Sequence, residues 1–161
     1  MKSIVFAGGC FWGVEAYFKQ LNGITETIVG YIAGEGETTY EQVCNASGHA
    51  EAVHITFDED LISLNKLLDH LFNIIDPTSI NKQGNDKGIQ YRTGIYNYTP
   101  EMLDLIQGYI NVRQNEYNKP IVMELKTNLE FYNAEEYHQD YLNKNKNGYC
   151  HVNLSSYKNI E

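Results

Sequence analysis

The segment FAGGCFWGVE, residues 6–15, sets a thiol between two glycines and two large aromatic rings. Cys10 stands between an apolar run that predicts a strand and a periodic one that predicts a helix. Unpaired backbone N–H groups at a helix N-terminus favour the thiolate and lower its pKa, so Cys10 is a candidate nucleophile. Phe11 and Trp12 could wall an apolar pocket for a small substrate group. The alternative is an unreactive thiol in a tight turn.

Glu51 lies in a segment of alternating apolar residues, GHAEAVHI (48–55), between two alanines. A carboxyl group at such a position is exposed, paired or protonated. Next to apolar rings its pKa would rise, and Glu51 would then be a general acid near neutral pH. A solvent-facing strand glutamate explains the pattern equally well.

A third segment, QGNDKGIQYR (83–92), predicts a tight polar loop that leads into a strand. Asp86 could bind a substrate amide there, and Tyr91 could donate a hydrogen bond. Ordinary turn chemistry, with Asp86 bonded to its own backbone, is the alternative. Tyr40 is a second phenol, in an irregular segment.

The chain has three cysteines, without CxxC spacing or an export signal, which argues against a disulfide framework. Cys44 closes a predicted helical turn at 39–44 and is expected to pack. Cys150 lies in a tail rich in Asn, Lys and Gly, which predicts a mobile arm able to carry a sulfur. His49 or His138 could pair with Cys10, as in a cysteine hydrolase.

The predicted elements must bring these residues together. They are strands at 3–7, 25–34, 50–58, 89–97 and 121–126, helices at 12–21, 64–75, 100–117 and 133–144, and a polar loop at 76–88. The order β-α-β-β-α-β, followed by α-β-α, predicts an α/β (α+β) fold. We expect a two-layer sandwich with a ferredoxin-like split βαβ core, a mostly antiparallel sheet, long loops and an irregular C-terminal tail.

Composition restricts the classes of function. The 161 residues are 42% hydrophobic, which predicts one globular domain over 1–161. The formal net charge of −9 repels phosphate backbones, so nucleic acid is excluded as an expected partner. No apolar run reaches bilayer length and no signal peptide is recognisable, so we expect a cytoplasmic protein that does not enter a membrane.

Several segments together resemble the methionine sulfoxide reductase A family. They are GGCFWG (8–13), GYIAG (30–34), TYEQVC (39–44), GHAEAV (48–53), QGNDKGIQYR (83–92), EYHQDYL (136–142) and NGYC (147–150). Their order and approximate spacing also match, from residue 4 to residue 150.

The resemblance implies reduction of methionine-S-sulfoxide, free and in proteins, through a cysteine sulfenic acid. It also implies the same α/β sandwich. The site residues that it implies are the nucleophile Cys10, the proton donor Glu51, its helpers Tyr40 and Tyr91, and the substrate-binding side chains Phe11, Trp12 and Asp86.

No metal or organic cofactor is implied; an external thiol is required, such as thioredoxin, glutaredoxin or glutathione. After NGYC the chain continues HVNLSSYKNIE without another thiol, so any intramolecular resolving step depends on Cys150 alone. Some family members carry selenocysteine where this chain has Cys10. We expect a monomer.

Two other classes of function stay open: a cysteine hydrolase, and a binding module that cages a cation with Phe11, Trp12, Tyr40 and Tyr91.

Overall fold

The computed structural model describes residues 1–160, over which the chain forms eight strands. They are β1 (Lys2–Gly8), β2 (Ile24–Ile32), β3 (Ala50–Phe57), β4 (Lys82–Gln83), β5 (Asp86–Lys87), β6 (Thr93–Tyr96), β7 (Glu124–Lys126) and β8 (Tyr132–Asn133). Six form one sheet in the order β7-β6-β1-β3-β2-β8, and β4 pairs with β5 in a separate hairpin. All pairs are antiparallel except β6 with β7.

Over residues 1–160 the chain forms five α-helices, three of which begin at residues whose side chains cap them. They are α1 (Phe11–Lys19), α2 (Tyr40–Cys44), α3 (Leu64–Ile74), α4 (Pro100–Arg113) and α5 (Tyr141–Lys144). The side chains of Thr39, Ser63 and Thr99 accept hydrogen bonds from the first turns of α2, α3 and α4. Each oxygen therefore satisfies one N–H group that has no partner within its helix.

The core follows from the alternation of side chains along the strands. On one face of β1, Ile4 and Phe6 are buried against α1 and α3. On the other face, Val5 and Ala7 pack beneath Phe131. The strand order β6-β1-β3-β2 is that of a ferredoxin-like split βαβ, so the predicted fold class is confirmed.

The predicted strand at 89–97 is wrong in its first half. Residues Ile89–Tyr91 form a 3₁₀ turn, and the strand begins only at Thr93. Gly88 has a φ of +145°, and its carbonyl accepts from Tyr91 N, which closes the turn. The pattern that predicted the strand extends through the turn, so the sequence did not show where the strand begins.

The predicted helix at 133–144 is also mostly wrong. A 3₁₀ turn covers Glu136–His138, and only Tyr141–Lys144 is α-helical. Gln139 uses its side-chain amide to bond both backbone groups of Val29, each at 2.9 Å. Asp140 adopts a left-handed φ of 56°. Contacts with β2 therefore override the local helical pattern.

Smaller differences concern the ends of elements. The strand predicted from residue 121 begins at Glu124, the helix predicted to residue 117 ends at Arg113, and the polar loop at 76–88 contains the β4–β5 hairpin. Over residues 1–160, no helix has the length and apolar character needed to cross a bilayer.

Candidate active site

Cys10 occupies the N-cap position of α1, directly after the end of β1. Gly9 has a φ of +92°, a conformation that side chains disfavour, and this turns the chain from strand to helix. The cysteine is 7% exposed. The predicted position at a helix N-terminus is therefore present, and the residue is almost completely buried.

The expected low pKa of the Cys10 thiol is wrong. Burial raises its pKa well above the usual value, and the negative charges of Glu51 and Asp86 raise it further. The amides of Trp12 and Gly13 lower the pKa, but the side chain makes no capping hydrogen bond and burial outweighs them. Cys10 is therefore a thiol in the resting protein, and removing the charge on Glu51 favours its ionisation.

Glu51 lies in the middle of the sheet, on β3 opposite Tyr31 of β2, and is 1% exposed. The Phe11 amide donates to its Oε1 at 3.3 Å, whereas Oε2 is buried without a partner in the protein. Burial, the largest cause, raises the pKa of Glu51 to about 8. This excludes the solvent-facing alternative, because Glu51 is a buried carboxylic acid at neutral pH.

The two rings that follow Cys10 differ in exposure. Phe11 is fully buried and packs against Tyr40 and His138, with ring centroids 6.3 and 5.3 Å away. Trp12 is half-buried; its Nε1 donates to His138 Nδ1 at 3.0 Å, and its ring stacks on Tyr141 at 3.8 Å. Trp12 is therefore the ring that a ligand can reach, and Phe11 supports the site from the core.

Tyr40 and Tyr91 are both half-buried beside the carboxyl group. Burial raises the pKa of each, and the charge of Glu51 is the second cause in both cases. Cys10 contributes to the shift at Tyr91, which places that phenol near the thiol. Both hydroxyls remain protonated and can donate hydrogen bonds.

The tail around Cys150, which the sequence predicts to be mobile, packs against the turn that carries Cys10. Tyr149 donates its hydroxyl to Asp86 Oδ2 at 3.3 Å, and His151 Nε2 bonds Gly8 O at 2.9 Å. Cys150 is half-buried, and its Sγ would lie 3.1 Å from a Cβ at Gly13. Asp86 thus holds the tail as well as facing the site.

Cys44 is exposed rather than packed, since it ends the short surface helix α2. The prediction that Cys44 packs is therefore wrong. Partial burial raises the pKa of its thiol, which outweighs the lowering of that pKa by the nearby hydroxyl of Tyr40.

Sequence reasoning missed two polar side chains at the site. Glu135 accepts from Tyr31 Oη at 2.8 Å and from the Tyr40 amide at 3.0 Å, which fixes the start of α2. Its place within a predicted helix concealed it. His151 stands next to Cys150 in the sequence, and that adjacency was the one available signal.

The geometry gives no histidine base to Cys10. Both ring nitrogens of His49 are occupied, by Ser47 Oγ at 2.9 Å and Gly36 O at 2.8 Å. His138 Nδ1 accepts from Trp12, so in the neutral ring its Nε2, which is buried without a partner, carries the hydrogen and cannot act as a base. A cysteine hydrolase therefore lacks its expected partner, and a cation cage lacks Phe11, whose ring is sealed in the core. Over residues 1–160, no group of three or more His, Cys, Asp or Glu side chains could hold a metal ion.

The fold brings a buried thiol at a helix N-terminus together with a buried carboxylic acid rather than a histidine. Comparison with known proteins agrees. The model of the family described as peptide methionine sulfoxide reductase matches residues 2–160. The chain belongs to this family and is an oxidoreductase.

Individual relatives cover nearly the whole chain. The peptide methionine sulfoxide reductase MsrA of Clostridium botulinum strain Okra is 54% identical over 156 residues, which cover 96% of this chain and 99% of the relative. Mxr1 of Saccharomyces cerevisiae, in its reduced form, superposes with a TM-score of 0.85 at 35% identity, covering 95% of this chain and 90% of Mxr1. Mxr1 in complex with Trx2 gives a TM-score of 0.62 at 29% identity, covering 87% and 84%.

Proposed function

We propose that the chain reduces methionine-S-sulfoxide, free or within proteins, to methionine. The observation that carries this proposal is the buried carboxyl group of Glu51, with its raised pKa of about 8 and its unpartnered Oε2. A sulfoxide oxygen is a poor leaving group until it is protonated, so an acid in a dry pocket suits this substrate. Cys10 supplies the nucleophile.

In the proposed first step, the Cys10 sulfur attacks the sulfoxide sulfur as a thiolate while Glu51 protonates the oxygen. The S–O bond breaks, methionine leaves, and the oxygen ends on Cys10 as a sulfenic acid. Two electrons pass from the Cys10 sulfur to the substrate sulfur. The thiol proton replaces the one that Glu51 gave, so the acid is restored.

The remaining side chains would orient the substrate. Trp12 offers the accessible ring for the S-methyl group. Phe11 packs from the core against Tyr40 and His138, which lie beside the site. The hydroxyls of Tyr40 and Tyr91 stay protonated and can donate to the sulfoxide oxygen. Asp86 faces the site from β5 and can accept from a main-chain amide of the substrate.

For recycling, we propose that Cys150 attacks the sulfenic acid and that thioredoxin reduces the resulting disulfide. The contact of Cys150 with Gly13 places its sulfur against the first turn of α1, which supports the first part. The complex of the relative Mxr1 with Trx2 supports the second. Glutaredoxin or glutathione would serve if Cys150 did not react. We also propose a monomer, because one chain supplies every side chain of the site.

The direct test is turnover of the two sulfoxide epimers of a blocked methionine by the purified protein with dithiothreitol. We expect methionine from the S epimer alone. Cys10→Ser should abolish the reaction, because a serine hydroxyl is a far weaker nucleophile at neutral pH.

Cys44→Ser is the matched control, since it removes an exposed thiol of the same chain. It should turn over like the parent. Methionine formation by Cys10→Ser, or no methionine from the parent with either epimer, would refute the proposed function.

A further inference from the structure

The segment Tyr149–Val152 crosses the catalytic turn and touches it at consecutive residues. Tyr149 bonds Asp86, Cys150 Sγ borders Gly13, and His151 Nε2 bonds the carbonyl of Gly8 at 2.9 Å. This segment is therefore docked on the turn that carries Cys10.

The His151 side chain is almost enclosed, with 5% of it exposed. A carbonyl oxygen only accepts, so the ring nitrogen Nε2 carries the hydrogen. Burial lowers the pKa of His151, which keeps the ring neutral near pH 7. The ring also fills the space above Gly9, where a Cβ would lie 2.8 Å from Nε2.

One hydrogen bond thus joins the two segments that carry sulfur. Gly8 precedes Cys10 by two residues, and His151 follows Cys150 directly. Gly13 is shared by both sulfurs, because its amide acts on the Cys10 thiol while its missing side chain makes room for Cys150. Nothing in the first chemical step requires His151, which touches the turn from its carbonyl side.

We propose that His151 is a positioning residue for recycling: its hydrogen bond to Gly8 holds the Cys150 thiol beside Cys10 before the sulfenic acid forms. This inference rests on the proposed resolving role of Cys150. In that step the Cys150 sulfur attacks the Cys10 sulfur, a disulfide forms, and the sulfenic hydroxyl leaves as water with the proton of the attacking thiol. A thiol that is already held nearby reacts at a higher effective concentration.

The test separates the two steps in a single turnover without reductant. Methionine released reports the first step, and loss of two hydrogens across the Cys10 and Cys150 peptides reports the disulfide. We compare His151→Phe, which keeps a ring but loses the donor, with His151→Gln, whose Nε2 can replace the imidazole Nε2–H. Methionine release should be unchanged in both variants.

Disulfide formation should be roughly two- to tenfold slower in His151→Phe, the factor that one neutral hydrogen bond is worth, and His151→Gln should restore it. A packing role alone would not be rescued by glutamine. If circular dichroism shows that His151→Phe is unfolded, His151→Asn replaces it, because that amide is too short to reach Gly8.

Gln20→Ala is the control for general docking of the tail, since Gln20 Nε2 bonds Leu154 O at 2.9 Å, beyond this segment. It should leave the disulfide rate unchanged. Two results would overturn the role of His151 while leaving the resolving role of Cys150 intact. One is an equal rate of disulfide formation in the parent and His151→Phe, and the other is an equal slowing of disulfide formation in Gln20→Ala and His151→Phe. If the parent itself forms no Cys10–Cys150 disulfide, the proposed resolving step fails, and this inference fails with it.

Discussion

The two sides of the site differ in what holds them in place. Glu51 belongs to β3, which pairs with both β1 and β2 at the centre of the sheet, and Cys10 directly follows β1. Cys150 and His151 belong to an irregular segment that side-chain hydrogen bonds and the buried side chain of Val152 attach to the body. The first side lies within or directly next to paired strands of the sheet, whereas the second is a surface segment docked onto it.

This difference matches what each side is proposed to do. The first chemical step needs an acid kept away from water, and burial in the central sheet raises the pKa of Glu51 as required. Recycling instead requires one sulfur, that of Cys150, to meet Cys10 and afterwards an external reductant. An irregular segment at the surface opens at a lower cost than a central strand of the sheet.

The largest expected effect falls on the buried side. Glu51→Gln keeps the shape of the side chain but has no acidic proton, so methionine release should slow by roughly a hundred- to ten-thousandfold. The apparent affinity for the sulfoxide should change much less. Single-turnover release of methionine measures this step. A rate equal to that of the parent would move the acid to Tyr40 or Tyr91.

On the tail side, Cys150→Ser should leave methionine release intact but slow thioredoxin-dependent turnover by roughly a hundredfold, as expected when an attached thiol is lost. Small thiols such as dithiothreitol should still support turnover. Steady-state assays with the two reductants measure the difference. Full thioredoxin-dependent activity in this variant would mean that one cysteine suffices.

The buried side also predicts a pH dependence of stability. The folded pKa of Glu51 is raised from 4.5 to about 8, so its contribution to stability is intact below pH 4.5 and is lost as pH rises towards 8. The parent should therefore lose roughly 1 kcal/mol of unfolding free energy per pH unit, between about pH 5 and 8, relative to Glu51→Gln. Urea unfolding at several pH values measures this. A difference independent of pH would contradict a buried acid.

The sequence allowed the buried side to be predicted better than the tail. A short apolar run predicted β1 and alternation predicted β3, and the turn at Cys10 and the apolar neighbours of Glu51 are local signals. The roles of Glu135, Gln139 and His151 depend on partners more than ninety residues away in the chain, which local patterns do not contain. The high pKa of Cys10 was missed for the same reason, because burial depends on the whole fold.

The smallest expected effect tests whether the tail acts through its contact with α1. A Cβ at Gly13 would lie 3.1 Å from Cys150 Sγ and 3.2 Å from both His151 Nδ1 and Val152 Cγ2. Gly13→Ala should therefore push the tail away, while alanine favours the helix itself by about 1 kcal/mol. Disulfide formation should slow by roughly two- to tenfold, with methionine release maintained. Gly108→Ala in α4 is the matched control, because a Cβ there meets nothing within 4 Å. If the two variants formed the disulfide equally fast, the docked position of the tail would have no part in recycling.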